Sequence, residues 1–376
     1  MAGIYIHIPF CKQACTYCNF HFSTNLDLQN DFTAALLKEI ALRKTYIQGE
    51  TIETIYFGGG TPSLLSSQAV YQILDAVSRH FRIGQNPEIT LETNPDDIYM
   101  NHLHKWKKAG INRLSIGVQS FFSEDLIWMN RAHNGEQAVQ AVEDSKNAGF
   151  DNFSLDLIYG SPGLTDEKWN FNLQKAISLE PAHISCYALT VEPKTALHNM
   201  IKTKKSAAVD PEKQASQFLS GIKKLEAAGF EHYEISSFAR PGKRSRHNSS
   251  YWQSKKYLGL GPSAHSFDGT SRQWNISNNA LYIKSLMAGQ LSYESENLLP
   301  KDLLNEYIMT SLRTTEGLDL QHVTEHFGKQ KGRLLENNAS VYIHSNQMEK
   351  KHEKLVLTRN GKLFADGIAA ALFFES

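Results

Sequence analysis

Residues 7–22 read HIPFCKQACTYCNFHF, and three of the chain's four cysteines, Cys11, Cys15 and Cys18, fall within eight residues there. Thiolates this close together in a cysteine-poor chain point to a metal site rather than to disulfides. The spacing C-x3-C-x2-C lets three thiolates hold three irons of a [4Fe–4S] cube and leave the fourth iron open. An open iron can bind a small molecule and pass it an electron, so a redox cofactor is the first expectation. Structural zinc is a second reading: His21 extends the pattern to C-x3-C-x2-C-x2-H, although such sites usually draw on two separated ligand pairs. Inert buried thiols are the third, and the polar neighbours Lys12, Gln13, Thr16 and Asn19 do not resemble a core run.

Outward from this loop, the first 190 or so residues alternate short β-branched or aromatic runs with amphipathic stretches. The strand-like runs are Ile4–Pro9, Thr54–Phe57, Glu88–Thr93, Arg113–Val118, Phe153–Tyr159 and His183–Leu189. Helix-like segments such as Asp31–Arg43, Gln68–Phe81, Gly135–Ala148 and Glu167–Leu179 lie between them. Regular β–α alternation predicts parallel strands with right-handed crossovers. Six units rather than eight predict an α/β fold of the partial (β/α)6 TIM type, open on one side to a large flat ligand. A strand-like EHYEISSFA and the basic RPGKRSR follow an amphipathic helix over Asp210–Phe230. Beyond residue 298, two helices and a hairpin with Asn360–Gly361 at its bend predict a smaller α+β domain of winged-helix-like character. We therefore divide the chain into a barrel over 1–235, a connecting segment over 236–298 and a C-terminal domain over 299–376.

The totals exclude some functions. Lys+Arg and Asp+Glu are 39 each, so net charge is zero and no whole-chain attraction to nucleic acid or membrane is expected. The C-terminal tail has no long basic face, which favours packing over DNA reading. MAGIYIHIPF lacks the basic start and small-residue cleavage site of a signal peptide, and no apolar run reaches membrane-spanning length. With cysteine usage suited to a reducing compartment, the expected location is the cytoplasm.

Polar groups gather at the strand ends, where TIM-like barrels carry their binding residues. Strand one runs into the cysteine loop, strand two into Gly58-Gly59-Gly60-Thr61-Pro62, strand three ends near Glu92 and strand four at Gln119, while Asp156 lies in strand five. Glycines let the backbone approach a ligand closely. Glu92, acceptor-only when ionised, suits two ribose hydroxyls, and Gln119 and Arg131 suit other polar edges. Taken singly, Arg131 reads equally well as a surface ion pair and Asp156 as a buried cap.

CKQACTYC, GGGTP and the six-unit barrel resemble the radical S-adenosylmethionine (SAM) superfamily. YIHIPFC, LETNP, GVQSF, DLIYGSPG and YEISSFARPG…RHNSSYW more closely resemble the oxygen-independent coproporphyrinogen III oxidase family, from near residue 1 to about 268. The resemblance implies cluster ligation by Cys11, Cys15 and Cys18. It implies SAM binding by Tyr5, Tyr17, Gly59, Gly60, Thr61, Glu92, Gln119, Arg131, Asp156 and Ala188, some of these belonging to a second SAM site proposed for the family.

Two departures separate the chain from the oxidase pattern. The oxidase carries a fourth cysteine two residues after the third, where this chain has Phe20, and it has an N-terminal arm absent here. Both departures, with His247-Asn248-Ser249-Ser250-Tyr251-Trp252, resemble the family's heme-chaperone branch and its H-N-x-x-Y-W hallmark. That branch implies heme as cargo, His247 as an axial iron ligand, Tyr251 and Trp252 as flat apolar area for the porphyrin, and Arg240, Lys243, Arg244 and Arg246 for its propionates. Without the resemblance, His247 reads as a helix-start or core histidine. His265 is a second candidate ligand, and Cys186 a buried strand residue. The expected partners are heme, an acceptor hemoprotein such as a membrane respiratory enzyme, and a second copy of the chain. The competing reading is an enzyme, the oxidative decarboxylation of coproporphyrinogen III propionates.

Overall fold

The structure is a computed structural model that describes residues 1–47 and 49–375. Six parallel strands, β1 (Ala2–Ile8), β2 (Ile52–Gly59), β3 (Ile83–Thr93), β4 (Arg113–Gln119), β5 (Phe153–Tyr159) and β6 (His183–Ala188), pair in chain order. Four cover the expected runs and two, β1 and β6, stop one residue short of them, while the four expected helices lie within two residues of their spans (Gln29–Leu42, Ser67–His80, Gly135–Asn147, Asp166–Ser178).

Alternation along the strands explains what the barrel does. Ile4, Ile6 and Ile8 of β1, with Ile55 and Phe57 of β2, are buried in the main apolar core. The alternate set, Tyr5 and His7, Thr54 and Tyr56, Glu88, Thr90 and Glu92, Arg113 and Ser115, points the other way into the lumen, where Tyr56 bonds Glu92 and Ser115 bonds Ser154 and Asp156 across strands. Interiors of closed TIM barrels are packed with branched aliphatic side chains. This one is polar, and its polar groups require partners.

The barrel does not close on itself. The expected strand EHYEISSFA is two, β7 (Glu231–Glu234) and β8 (Ser237–Ala239), which fold back antiparallel beside β6. Residues after the helix Arg246–Trp252 continue the same sheet on its opposite side: β9 (Tyr257–Leu260) pairs parallel with β1, followed by β10 (His265–Phe267), β11 (Ser271–Asn275) and β12 (Tyr293–Asn297). A separate core forms around the helices Pro300–Leu312, Leu320–Phe327 and Lys329–His344 and a small sheet of β13 (Leu318–Asp319), β14 (Met348–Lys351) and β15 (Lys354–Leu357). The hairpin bend lies at His352–Glu353, not at Asn360–Gly361 as the dipeptide suggested. Gly361 instead opens a 3-10 turn and sits against the Gln347 carbonyl, where an added Cβ would lie 1.7 Å from that oxygen. A glycine used for close approach thus imitated a turn signal.

Helix Gln29–Leu42 is pinned to the sheet by one carboxylate. Glu39, 1% exposed, accepts from the Gly261 N–H at 2.8 Å, Asn275 Nδ2 at 2.7 Å and the Tyr282 hydroxyl at 2.6 Å, with Arg43 Nε at 3.4 Å. Removing it orphans these donors and leaves Arg43 a buried charge without its anion. Glu39→Ala is therefore expected to lose about 3 kcal/mol or more of unfolding free energy in urea titrations, and Glu39→Gln to lose less. A loss below about 1 kcal/mol in the alanine variant would count against a pinning role.

Candidate functional site

The cysteine loop is set by backbone bonds from several directions. Cys11 N donates to Ser23 O at 3.0 Å and Ser23 N to Pro9 O at 2.9 Å, folding the loop back on β1. Gly60 N and Thr61 N donate to Ile8 O and Phe10 O at 2.9 and 2.7 Å. Such close approach needs a glycine: a Cβ on Gly60 would lie 2.7 Å from the Phe10 carbonyl oxygen. From the far side, Asn130 Nδ2 holds Ala14 O at 2.7 Å, and Thr16 N reaches Met129 O at 3.1 Å.

Cys11, Cys15 and Cys18 are half-buried, unpaired thiols that line a single cavity of about 480 Å3, within the roughly 300–1,000 Å3 of small-molecule sites. Thr61 Oγ1 donates to Cys11 Sγ at 3.4 Å, and Arg131 Nη1 lies 3.5 Å from Cys15 Sγ. Such contacts to sulfur tune an iron–sulfur cluster. Burial raises the Cys11 thiol, and pushes Cys18 up to about 11, so holding thiolates requires a cation. Among the described residues no three His, Cys, Asp or Glu side chains converge on one ion. A cube places its three thiolates on separate irons and needs no such convergence. His21 directs Nε2 to Asn279 Oδ1 at 2.7 Å. Three thiols on one loop, lining one cavity, fit a cluster with an open iron better than the four-ligand zinc pattern.

Nine of the remaining residues carried over from the resemblance, Tyr17, Gly59, Gly60, Thr61, Glu92, Gln119, Arg131, Asp156 and Ala188, line the same cavity. Tyr5 lies beneath it: an added Cβ on Gly58 would lie 2.9 Å from the Tyr5 ring and 3.1 Å from Glu92 Oε1. Gln119 holds φ at 65°, a left-handed conformation that only surrounding structure can enforce at a non-glycine. Two buried polar atoms in the wall, Asp156 Oδ1 and Arg131 Nε, have no partner among the described residues. Glu92, Asp156, Gln119 and Arg131 give the cavity a polar wall, which fits a polar ligand such as SAM, with its amino-acid and ribose groups.

Asn94, Tyr56 and Asn130 escaped the sequence reading. Asn94 Oδ1 accepts from Arg131 Nη2 at 2.6 Å and so aims that guanidinium at the cysteine loop. Its only signal was the residue after Thr93 in LETNP. Tyr56 donates to Glu92 Oε1 at 2.7 Å, while the Gly59 N–H reaches Oε2 at 3.2 Å.

Helix Arg246–Trp252 lies elsewhere, at the opposite end of the lumen. His247 is 1% exposed, and both ring nitrogens are occupied: Nδ1 pairs with Thr54 Oγ1 at 2.8 Å and Nε2 with the Tyr251 hydroxyl at 2.9 Å. The expectation of an available imidazole nitrogen is not met in this structure, so His247 as placed does not fit an axial heme ligand. Trp252 packs beneath Arg313, whose guanidinium lies 5.1 Å from the ring centroid. The expected propionate partners are largely engaged: Arg240 with Ala228 O, Arg244 with Glu231 and Glu316, and Arg246 with Glu53 and Asn86 O. His265 is exposed on β10 and stacks on Trp274, 6.0 Å between ring centroids. Cys186 is buried in β6.

Comparison with known proteins gives concordant matches. Profiles described as the Radical SAM superfamily and the HemN C-terminal domain match residues 5–174 and 298–364. Curated proteins named heme chaperone HemW are similar over nearly the whole chain. That of Mycobacterium tuberculosis is 32% identical, covering 98% of this chain and 94% of the relative. That of Bacillus subtilis is 31% identical, covering 100% of both. The Escherichia coli protein is 38% identical over 70% of this chain and 69% of its own length. Among solved structures, coproporphyrinogen III oxidase (HemN) from Escherichia coli, described as a radical SAM enzyme, superimposes with TM-score 0.86 at 22% identity, covering 99% of this chain and 90% of that one. That likeness shows the fold. No helix among the described residues is long and apolar enough to cross a membrane.

Glu92 supplies a test that needs no ligand. Burial pushes its carboxyl from the usual 4.5 up to about 7, against the opposing hydrogen bond from Tyr56. The folded state then holds the proton more tightly than the unfolded chain, so stability falls as pH rises from about 4.5 to about 7. Glu92→Gln is expected to melt at least about 2 °C above the unsubstituted protein at pH 8 and level with it at pH 5, without ligand. A lower melting point at pH 8 would show that Glu92 carries no such cost.

Proposed function

The chain belongs to the radical SAM superfamily and, within it, to the family of proteins named heme chaperone HemW, and from that membership we propose that it binds heme and passes it to an acceptor hemoprotein. The full-length similarity to relatives bearing that name is the observation that carries the reading. Phe20, 67% exposed at the cavity rim where the oxidase pattern has a cysteine, favours carriage over decarboxylation.

Cys11, Cys15 and Cys18 would hold a [4Fe–4S] cluster, with Thr61 and Arg131 donating to two of the sulfurs. Glu92 and Asp156 would accept hydrogen bonds from SAM, the Gly59–Thr61 backbone would lie against it, and Gln119 and Ala188 would complete the wall. When bound, the cluster supplies an open iron able to chelate SAM and reduce it by one electron. Arg131, held by Asn94, keeps positive charge beside the thiolates, and the clamp from Asn130 holds the loop in register with the cavity. In this reading the cofactor pair sets the conformation or assembly from which heme is released, and the acceptor is a hemoprotein such as a respiratory enzyme.

Anaerobic titration of the cluster-reconstituted protein with heme, run beside a coproporphyrinogen III turnover assay, tests this. Saturable heme binding, loss-free porphyrinogen and heme delivery to an apo-hemoprotein are expected. Porphyrinogen turnover would replace the carrier with the decarboxylase. Substituting Cys15 by Ala is expected to cut bound iron after reconstitution to under about a quarter of that in the unsubstituted protein. Undiminished iron would remove Cys15 from the ligand set.

A further inference from the structure

We infer that His247 is a positioning residue of the cofactor pocket, acting from the opposite end of the barrel lumen, and not an iron ligand. This rests on the proposed SAM site and on the misfit between His247 as placed and axial ligation. Its imidazole lies flat against Tyr56, 5.0 Å between ring centroids at 22°, and near Tyr5, 6.4 Å at 28°. Those two tyrosines stack on each other at 6.2 Å. The three rings form one aromatic floor across β1 and β2.

Each ring of that floor hands its position to the pocket. The Tyr56 hydroxyl bonds Glu92 Oε1 at 2.7 Å and so fixes the carboxylate that meets the ligand. The Tyr5 hydroxyl lies 3.2 Å from His7 Nδ1, and His7 Nε2 donates to the His21 carbonyl at 2.8 Å, three residues past Cys18. His247 supports both routes from below.

The imidazole is itself held on every side. Its backbone N–H donates to Glu88 Oε1 at 3.0 Å, and Glu88 Oε2 accepts from Arg246 N at 3.2 Å. A Cβ on Gly3 would lie 3.2 Å from His247 Cε1, so the ring fills space that β1 leaves open with a glycine. Burial, with the neighbouring Arg113 cation second, pushes the imidazole down to about 3, so it is neutral. A neutral ring has one donor and one acceptor, and Thr54 and Tyr251 take both. Ligation of iron would forfeit at least one of these bonds and withdraw a buried ring from beneath Tyr56.

Glutamine separates the two roles. Its amide retains a donor and an acceptor near the ring-nitrogen positions, but it is not a heme-iron ligand of the imidazole kind. The experiment measures SAM affinity by equilibrium dialysis and heme affinity by the Soret band, in reconstituted His247→Ala, His247→Gln and unsubstituted protein. Positioning predicts roughly tenfold weaker SAM binding in the alanine variant and recovery of most of that loss in the glutamine variant. Heme affinity and Soret position stay unchanged in both. The inference is overturned by loss or a shift of the Soret band in the glutamine variant, or by unchanged SAM affinity in the alanine variant. If the alanine variant does not fold, the glutamine variant decides: intact SAM binding and an unmoved Soret band support positioning, and an altered Soret band sinks it. Should the unsubstituted protein bind no heme, the carrier proposal fails while the SAM comparison still decides the role of His247.

Discussion

A six-stranded barrel with a polar lumen must find partners for most of the groups it buries, and that constraint organises this molecule. Ser115 bridges Ser154 and Asp156 at 2.9 and 3.0 Å, Tyr56 holds Glu92, and Thr54 holds His247. Leaving a buried polar group without a partner costs about 1–3 kcal/mol, so the partnerships across the lumen fix strand register as well as side-chain position. Where the lumen opens at the strand C-termini, Asp156 Oδ1 and Arg131 Nε remain orphaned. Both residues line the cavity.

Charge in the lumen follows from the same burial. Glu92 and Asp156 are pushed up by desolvation, and Arg113, 1% exposed, partly offsets this for both. Nε and Nη1 of Arg113 have no hydrogen-bond partner among the described residues. Its influence there is electrostatic, reaching the carboxylates above it and the imidazole of His247. A cationic sulfonium ligand would favour the ionised carboxylates in the way that burial alone does not.

Much of this was legible in the chain. β-branched runs at even spacing located β1 to β6, because buried parallel strands are written in local composition. The cysteine spacing and the strand-end positions of Gly59, Glu92, Gln119 and Asp156 located the cavity, since barrel topology brings strand ends together. What stayed hidden depends on contacts distant in sequence. The HNSSYW segment announces itself by residue type, yet whether His247 faces solvent or lumen is decided by Thr54, 193 positions away. Asn94 reads as a loop residue until Arg131 arrives from 37 positions on. Asn360–Gly361 misled because the tight contact of Gly361 with Gln347 uses glycine for space and not for a bend.

Three thiolates that hold a four-iron cluster would leave one iron for a ligand in the Glu92 cavity. Mössbauer spectra of anaerobically reconstituted, 57Fe-labelled protein with and without SAM test it most directly. About a quarter of the iron signal should move to a higher-coordinate environment on adding SAM, while the rest stays unchanged. A four-iron spectrum indifferent to SAM, or a reconstituted protein holding zinc and no cluster, would contradict it.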